Sequence, residues 1–374
     1  MKKLYTGARI VTNGRIIDGM DVRTENGHIV DVAPHQPFEV GEDLGGLFLA
    51  PGFIDIHVHG GGGYEFIDGT EEAFRAACAV HAEGGTRVLY PSISATDRKT
   101  MICALETAEA IMKDLPVCVP GIHLEGPYLE PSMCGGQDSV LIRKPDPDEY
   151  LPIIKRFASV IARWDYAPEH DDGSFLKVLN DFHILPAIAH SAAEYDNILP
   201  AYDDGCRLVT HLYSCTSTVV RHGGFRHLGI IETAFLLDDM DVEVIADGCH
   251  IPAELMRMIV KIKSPDHTVL ITDAIRCACM KDSAGLVSGT KRIPYIIEDG
   301  VAKLADRSAF AGSIATTQQL LKRTVQAGIP LETVVQMMTE TPARIMRLNR
   351  YGSIKEGNEA VFTAFDENLN IIML

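Results

Sequence analysis

The stretch PGFIDIHVHG, residues 51–60, decides how the rest of the chain is read. It is an apolar run that ends in two histidines, His57 and His59, with one valine between them. In a β-strand, residues i and i+2 project to the same face. His57 and His59 therefore share a face, with Asp55 below them, and Gly60 to Gly63 read as a flexible loop that ends the strand. Taken alone, the pair could also be a solvent-facing couple near a turn or two satisfied core histidines. The runs that follow separate these readings.

Seven further β-like runs follow: 86–92, 117–124, 159–166, 183–190, 207–212, 242–247 and 268–273. Amphipathic helical stretches, such as 71–83, 98–113 and 252–263, lie between most of them. Eight β runs with helical crossovers predict an α/β fold, a (β/α)8 TIM barrel. An open doubly wound sheet is the rival, but no GxGxxG follows the first run. Residues 2–50 and the C-terminal end carry short β-prone runs instead, with a hairpin signal at Asn26-Gly27. Their shared character predicts one small β-sandwich built from both ends: 1–50, then a barrel over 51–347, then 348–374. Two unrelated edge hairpins are the alternative.

The chain has 374 residues and a formal net charge of −17, which argues against nucleic acid and anionic membranes as partners. It does not argue against an anionic small molecule, because a few local arginines can override the mean field. No run approaches the ~18 apolar residues that a membrane span needs. The start turns polar too soon for a secretory signal. The nine scattered cysteines read as reduced thiols in a cytoplasmic protein.

The ionisable residues fall at the ends of the runs. His57 and His59 end the first, His123 and Glu125 the third, His190 the fifth and His211 the sixth. Asp247 and His250 end the seventh, and Asp273 the eighth. In a barrel of this type the C-terminal strand ends converge on one mouth, where active sites lie. Buried charges and imidazoles without partners cost several kcal/mol, roughly, so such a cluster points to metal binding or catalysis. Imidazoles and carboxylates without thiolate suit Zn, Fe, Mn, Co or Ni, one or two ions per chain. A catalytic metal site also needs a group that takes and delivers a proton, and Asp273 on the last strand is placed for that.

The motifs APGFIDIHVHG, GIHLEGPYLEP, AHSAA, THLYS, IADGCHI, LITDAI and AGSIATTQQ, in this order, resemble the amidohydrolase superfamily. Within it they resemble the branch of N-acetylglucosamine-6-phosphate deacetylases. The resemblance implies a barrel with a small β-sandwich, a homodimer, and hydrolysis of the acetamide of an N-acetyl amino sugar phosphate. It implies Glu125, His190 and His211 as core metal ligands, with His57 and His59 holding a second metal through a shared Glu125. It implies Asp273 as general base and acid, and His250 as a substrate contact that polarises the amide carbonyl. Gln137, Ser214 and Cys215 stand where the family has other substrate-touching residues. Arg221, Arg226 and Arg276 are the residues expected to gather a phosphate at the mouth. Another amidohydrolase reaction on the same centre, on an N-acyl amino acid or a cyclic amide, is the first rival. A non-catalytic ligand-binding homologue is the second.

Other residues draw plainer readings. Trp164 and Tyr166 are expected to pack in the barrel rather than to form a sugar platform. Glu169 reads as a mouth residue or a helix N-terminal charge, Cys249 as an inert buried thiol, and His222 and His227 as loop residues beside the arginines.

Overall fold

The computed structural model describes residues 1–36, 39–280, 287–288 and 293–374. Eight parallel strands form its centre: β1 (Phe53–Val58), β2 (Thr86–Ser94), β3 (Ile122–Glu125), β4 (Ile161–Tyr166), β5 (Leu185–Ile188), β6 (Leu208–Val209), β7 (Asp241–Ile245) and β8 (Thr268–Ile271). They neighbour one another in sequence order. A parallel bridge between Val58 and Ala274 brings the last strand back to the first. The barrel reading holds, with shorter strands than the apolar runs suggested. Pro120 and Gly121 delay β3, and β6 pairs over only two residues.

The helices start where their caps lie. The hydroxyl of Thr70 accepts from the Ala73 amide to open helix Glu71–Glu83. The Asp97 carboxylate accepts from the amides of Lys99 and Thr100 to open helix Arg98–Ile111. Side-chain oxygens of this kind satisfy amides that have no partner within the helix. Trp164 and Tyr166 are fully buried. Trp164 stacks on Tyr128 at 5.5 Å between centroids, meets Phe175 edge-on and donates from Nε1 to the Gly126 carbonyl. Both residues are packing residues, as expected.

Gly60 to Gly63 do not form a free loop. Gly60–Gly61 pairs antiparallel with Tyr64–Glu65 in a tight ribbon. A Cβ on Gly60 would lie 2.1 Å from the Tyr64 carbonyl oxygen, so the close approach requires glycine. The second difference from expectation follows β8. There a four-stranded antiparallel sheet uses Val287–Ser288, Ile293–Glu298, Val301–Leu304 and Phe310–Gly312.

The chain ends build two further sheets. One contains Lys2–Thr6, Met20–Glu25, His28–Pro34 and Glu42–Asp43. The other joins Arg9–Thr12, Arg15–Ile17 and Phe48–Pro51 to Phe362–Phe365 and Ile371–Ile372. Tyr5, Ile10, Val22, Ile29, Leu49, Ile354 and Phe362 form a common apolar cluster there. Phe365 stacks on Phe48 with centroids 5.2 Å apart and reaches Phe53 of β1 at 6.1 Å. This one ring ties both chain ends to the barrel. Phe365→Ala is expected to cost about 3–5 kcal/mol, the usual range for emptying a buried aromatic site. Urea unfolding of the purified variant measures it.

Candidate metal centre and active site

Of the histidines and carboxylates at the strand ends, His59, Glu125, His190, His211, His250 and Asp273 line one cavity and His57 sits directly beneath it, while His123 and Asp247 do not line it. The cavity has a volume of about 260 Å³ and is bounded by His59, Glu125, His190, His211, His250 and Asp273 among others. This approaches the lower end of small-molecule pockets, roughly 300 Å³, and suits a metabolite rather than a polymer.

At its floor the carboxylate of Glu125 meets imidazoles from three other strand ends. Oε1 lies 2.9 Å from His211 Nε2, 3.1 Å from His190 Nε2 and 3.6 Å from His57 Nε2. Oε2 lies 3.2 Å from His59 Nε2. Asp273 Oδ1 closes the group at 3.3 Å from His59 Nε2 and 3.5 Å from His57 Nε2. The geometry therefore makes two overlapping clusters, His57–His59–Glu125 and Glu125–His190–His211, within each of which ligand atoms lie within 4.8 Å of one another. All five residues are buried.

Each imidazole is held from behind. Nδ1 of His190 donates to the Met133 carbonyl at 2.7 Å, and Nδ1 of His211 to the Ser214 carbonyl at 3.0 Å. Nδ1 of His59 meets the Ser94 hydroxyl at 3.0 Å, and Nδ1 of His57 meets Glu243 Oε2 at 3.2 Å. With Nδ1 occupied, every ring turns Nε2 inward. His57 and His59 bring these nitrogens to 3.1 Å from each other, close enough to share one proton or one metal ion. The donor set fits a divalent metal of the imidazole–carboxylate type. His190, His211 and Asp273 also hold positive φ values of 44°, 28° and 48°. Such backbone strain clusters at functional sites.

Burial pushes the Glu125 carboxyl up, but His190, His211 and His59 outweigh it and hold the group well below the usual carboxylate range. Burial acts the same way on Asp273, and His57 and His59 bring it down to about 2. Both groups are thus anionic at neutral pH.

Of the expected substrate contacts, Gln137, Ser214, Cys215 and His250 line the cavity. Gln137 donates from Nε2 to Glu125 Oε2 at 2.6 Å and accepts from the Ala95 amide at 2.8 Å. Its amide therefore bears on the metal-ligand carboxylate directly. His250 is fixed through Nδ1 by Asp247 Oδ2 at 2.8 Å, and Phe310 meets its ring edge-on at 4.8 Å. Phe310 and its neighbours Ala311 and Gly312 reach the site from the unanticipated antiparallel sheet.

The arginines do not gather at this mouth. The guanidinium of Arg276 is buried against Glu65 and Asp68, each 3.0 Å from Nη2, and does not line the cavity. Arg221 and Arg226 face each other across an exposed hairpin, Val220–His222 with Phe225–His227, and do not line the cavity either. His222 on that hairpin pairs with Glu194 at 2.6 Å. Glu169 lies in the first turn of a short 3-10 helix, Pro168–His170, and does not line the cavity. Its oxygens accept from the Ser191 hydroxyl and the Ala192 amide, both at 2.6 Å, just behind His190.

Sequence reasoning passed over Ser94, Glu243, Arg163 and Asp165. The signal was present in the last three, since a charge inside an apolar strand requires a buried partner.

The correction at Arg276 has a measurable consequence. Arg276→Met removes the buried cation that Glu65 and Asp68 share and is expected to destabilise the protein by about 3 kcal/mol, as when one partner of a buried pair is removed. KM for a sugar phosphate should stay within about twofold of wild type, a change of less than ~0.5 kcal/mol. Thermal denaturation and steady-state kinetics on the same preparation separate the two.

The Amidohydrolase family model matches residues 48–373. The N-acetylglucosamine-6-phosphate deacetylase of Lysinibacillus sphaericus is 28% identical, with 94% of this chain and 90% of that protein covered. The N-acetylgalactosamine-6-phosphate deacetylase of Shewanella sp. (strain ANA-3) is 26% identical over 98% of this chain and 92% of that protein. Among solved structures, a mutant N-acetyl-D-glucosamine-6-phosphate deacetylase from Mycobacterium smegmatis, in complex with N-acetyl-D-glucosamine-6-phosphate, superposes with a TM-score of 0.90. It is 27% identical, and the match covers 99% of this chain and 96% of that one. Barrel, strand-end ligands and family match agree, and the chain belongs to the amidohydrolase family, as a hydrolase of amide bonds.

Proposed function

We propose that this chain hydrolyses the acetamide of a phosphorylated N-acetyl amino sugar, releasing acetate and the amino sugar phosphate. The observation that carries the reading is the juxtaposition of Asp273 with the Glu125–histidine cluster inside one small cavity. The relatives, which act on N-acetylglucosamine 6-phosphate or N-acetylgalactosamine 6-phosphate by name, support the substrate class.

Glu125, His190 and His211 would hold one divalent metal, and His57 and His59, with the second oxygen of Glu125, a second. A metal there supplies Lewis-acid chemistry that polarises a carbonyl and makes water a competent nucleophile near neutral pH. The residues supply the rest. Asp273 accepts a proton from the attacking water, whose oxygen bonds to the acetyl carbon. As the C–N bond breaks, Asp273 returns that proton to the amine nitrogen. His250, fixed by Asp247, offers a ring against the substrate oxygen, and Gln137, Ser214 and Cys215 bound the sugar. A proton shuttle at Asp273 favours catalysis over mere ligand binding.

The proposal includes a cytoplasmic homodimer and the partition 1–50, 51–347 and 348–374. Among the described residues no helix is long and apolar enough to cross a membrane. Phe225, 76% exposed on the arginine hairpin, is a surface that a second copy would cover. Arg221 and Arg226, on the same hairpin and outside this chain's own cavity, are proposed to serve the phosphate across the dimer.

Asp273→Asn keeps the side-chain size but removes the proton acceptor. Turnover is expected to fall roughly a hundredfold or more, the scale of general acid–base catalysis, while the fold persists. A single-turnover assay reads the chemical step directly.

Substrate class is tested with N-acetylglucosamine, N-acetylgalactosamine and N-acetylmannosamine, each with and without the 6-phosphate. The expected outcome is a strong preference for the phosphorylated members, diminished by Arg221→Ala. Equal rates on the unphosphorylated sugars, or activity confined to N-acyl amino acids, would overturn the substrate assignment.

A further inference from the structure

Beneath the metal cluster the barrel lumen is not apolar. Arg163 on β4 is fully buried, as are Asp165 on the same strand and Glu243 on β7. The guanidinium makes a two-pronged contact with Asp165 at 2.7 and 3.0 Å, reaches the Thr210 hydroxyl at 2.7 Å, and grips both oxygens of Glu243. Glu243 Oε2 then faces Nδ1 of His57 on β1 at 3.2 Å. The same oxygen accepts from the backbone amide of His211 at 3.3 Å. Strands β1, β4 and β7 are not neighbours, so these groups meet only through the lumen.

A packing role does not explain this arrangement. A buried ion pair replaced by apolar residues is often neutral or more stable, so burial of three charges is weak evidence of a stability device. The placement is specific instead. One carboxylate oxygen touches the ring of one cluster's histidine and the backbone of the other's. One arginine, fixed by Asp165, prevents that carboxylate from turning. Within this group Arg163 carries one positive charge against the two carboxylates of Asp165 and Glu243.

We infer that Glu243, clamped by Arg163, is a positioning residue that holds His57 with its proton on Nδ1 and its Nε2 lone pair aimed into the site. A carboxylate that accepts from one imidazole nitrogen fixes the tautomer and orientation of the other, and losing it typically costs roughly 10- to 100-fold in metal affinity. This inference deepens the proposed function and rests on its two-metal reading for the metal effect only.

The experiment uses the full chain as wild type, Glu243→Asp and Glu243→Gln. Glu243→Asp keeps the charge that Arg163 needs but withdraws the carboxylate by one methylene. Glu243→Gln keeps the size, and turns an amide toward either His57 or Arg163, so it serves where shortening disturbs folding. Two measurements are made. Histidine-selective nitrogen-15 NMR of chelator-stripped protein above pH 8 reports the His57 tautomer, with His57→Gln used to assign the signal. Zinc titration with chelator competition then counts the ions and gives the affinity of each.

Wild type should show Nδ1-protonated His57 and two zinc ions per chain. Glu243→Asp should show a mixed tautomer and about 10- to 100-fold weaker binding of one zinc, with the other unchanged. Glu243→Gln should weaken the same zinc by about tenfold. A folded Glu243→Asp variant with the wild-type tautomer and wild-type zinc affinities would overturn the inference. If wild type itself never takes more than one zinc, and His57→Ala does not change that, the two-metal reading fails. The tautomer measurement still decides the role of Glu243.

Discussion

The carboxylate of Glu125 is the point on which the rest of the site depends. It has two oxygens, and imidazole nitrogens reach it from three other strands. An anion at this depth would be expelled or protonated in an apolar barrel. It remains charged because His190, His211 and His59 surround it. They in turn keep their inward orientation because each is bonded at the far nitrogen to a carbonyl or a hydroxyl. Without the barrel, these groups lie up to 86 residues from Glu125 and have no reason to meet.

Closure of the barrel explains why the site is rigid. Eight parallel strands end at one rim, and strand direction fixes which residue is last. The Asp273 amide donates to the His57 carbonyl at 2.9 Å, and the His59 amide donates to the Ala274 carbonyl at 2.8 Å. The proton-transfer group and the histidine pair are thus stitched together by backbone at the seam where the barrel closes. Desolvating ions costs several kcal/mol each in such a place, and only geometry that satisfies every lone pair offsets it. The lower layer of Arg163, Asp165, Glu243 and Thr210 meets that requirement by bonding each charge at least twice.

Much of this was legible in the chain. The alternation of apolar runs and amphipathic stretches specified the barrel, because each pattern has its own period. The ligands were legible because histidines and acids at strand ends have few other reasons to be there. The sheet at 293–312 was not, since a set of short antiparallel strands has no place in a β/α alternation and resembles the chain-end sheets locally. Arg276 was misassigned for a related reason. Its charge is visible in the sequence, but its partner Glu65 lies 211 residues away, and no local pattern reports that pairing. Glu243 and Arg163 are likewise 80 residues apart. Strand periodicity tells which face a residue takes, while cross-lumen partners emerge only once the ring is closed.

The sheet shared by the two chain ends has a consequence for synthesis. Strand Phe48–Pro51 is bordered on one side by Arg9–Thr12 and on the other by Phe362–Phe365. During translation the first neighbour is available at once, while the second emerges only after the whole barrel has left the ribosome. Until then, Phe48 lacks its stacking ring and the strand presents open amides and carbonyls to any other chain. Nascent chains packed along one messenger hold that same edge in common, so a polysome making this protein carries a row of matching half-finished sheets. The protein is therefore one whose yield should depend on how long strand Phe48–Pro51 waits for Phe362–Phe365 and on chaperone occupancy of that strand in the meantime.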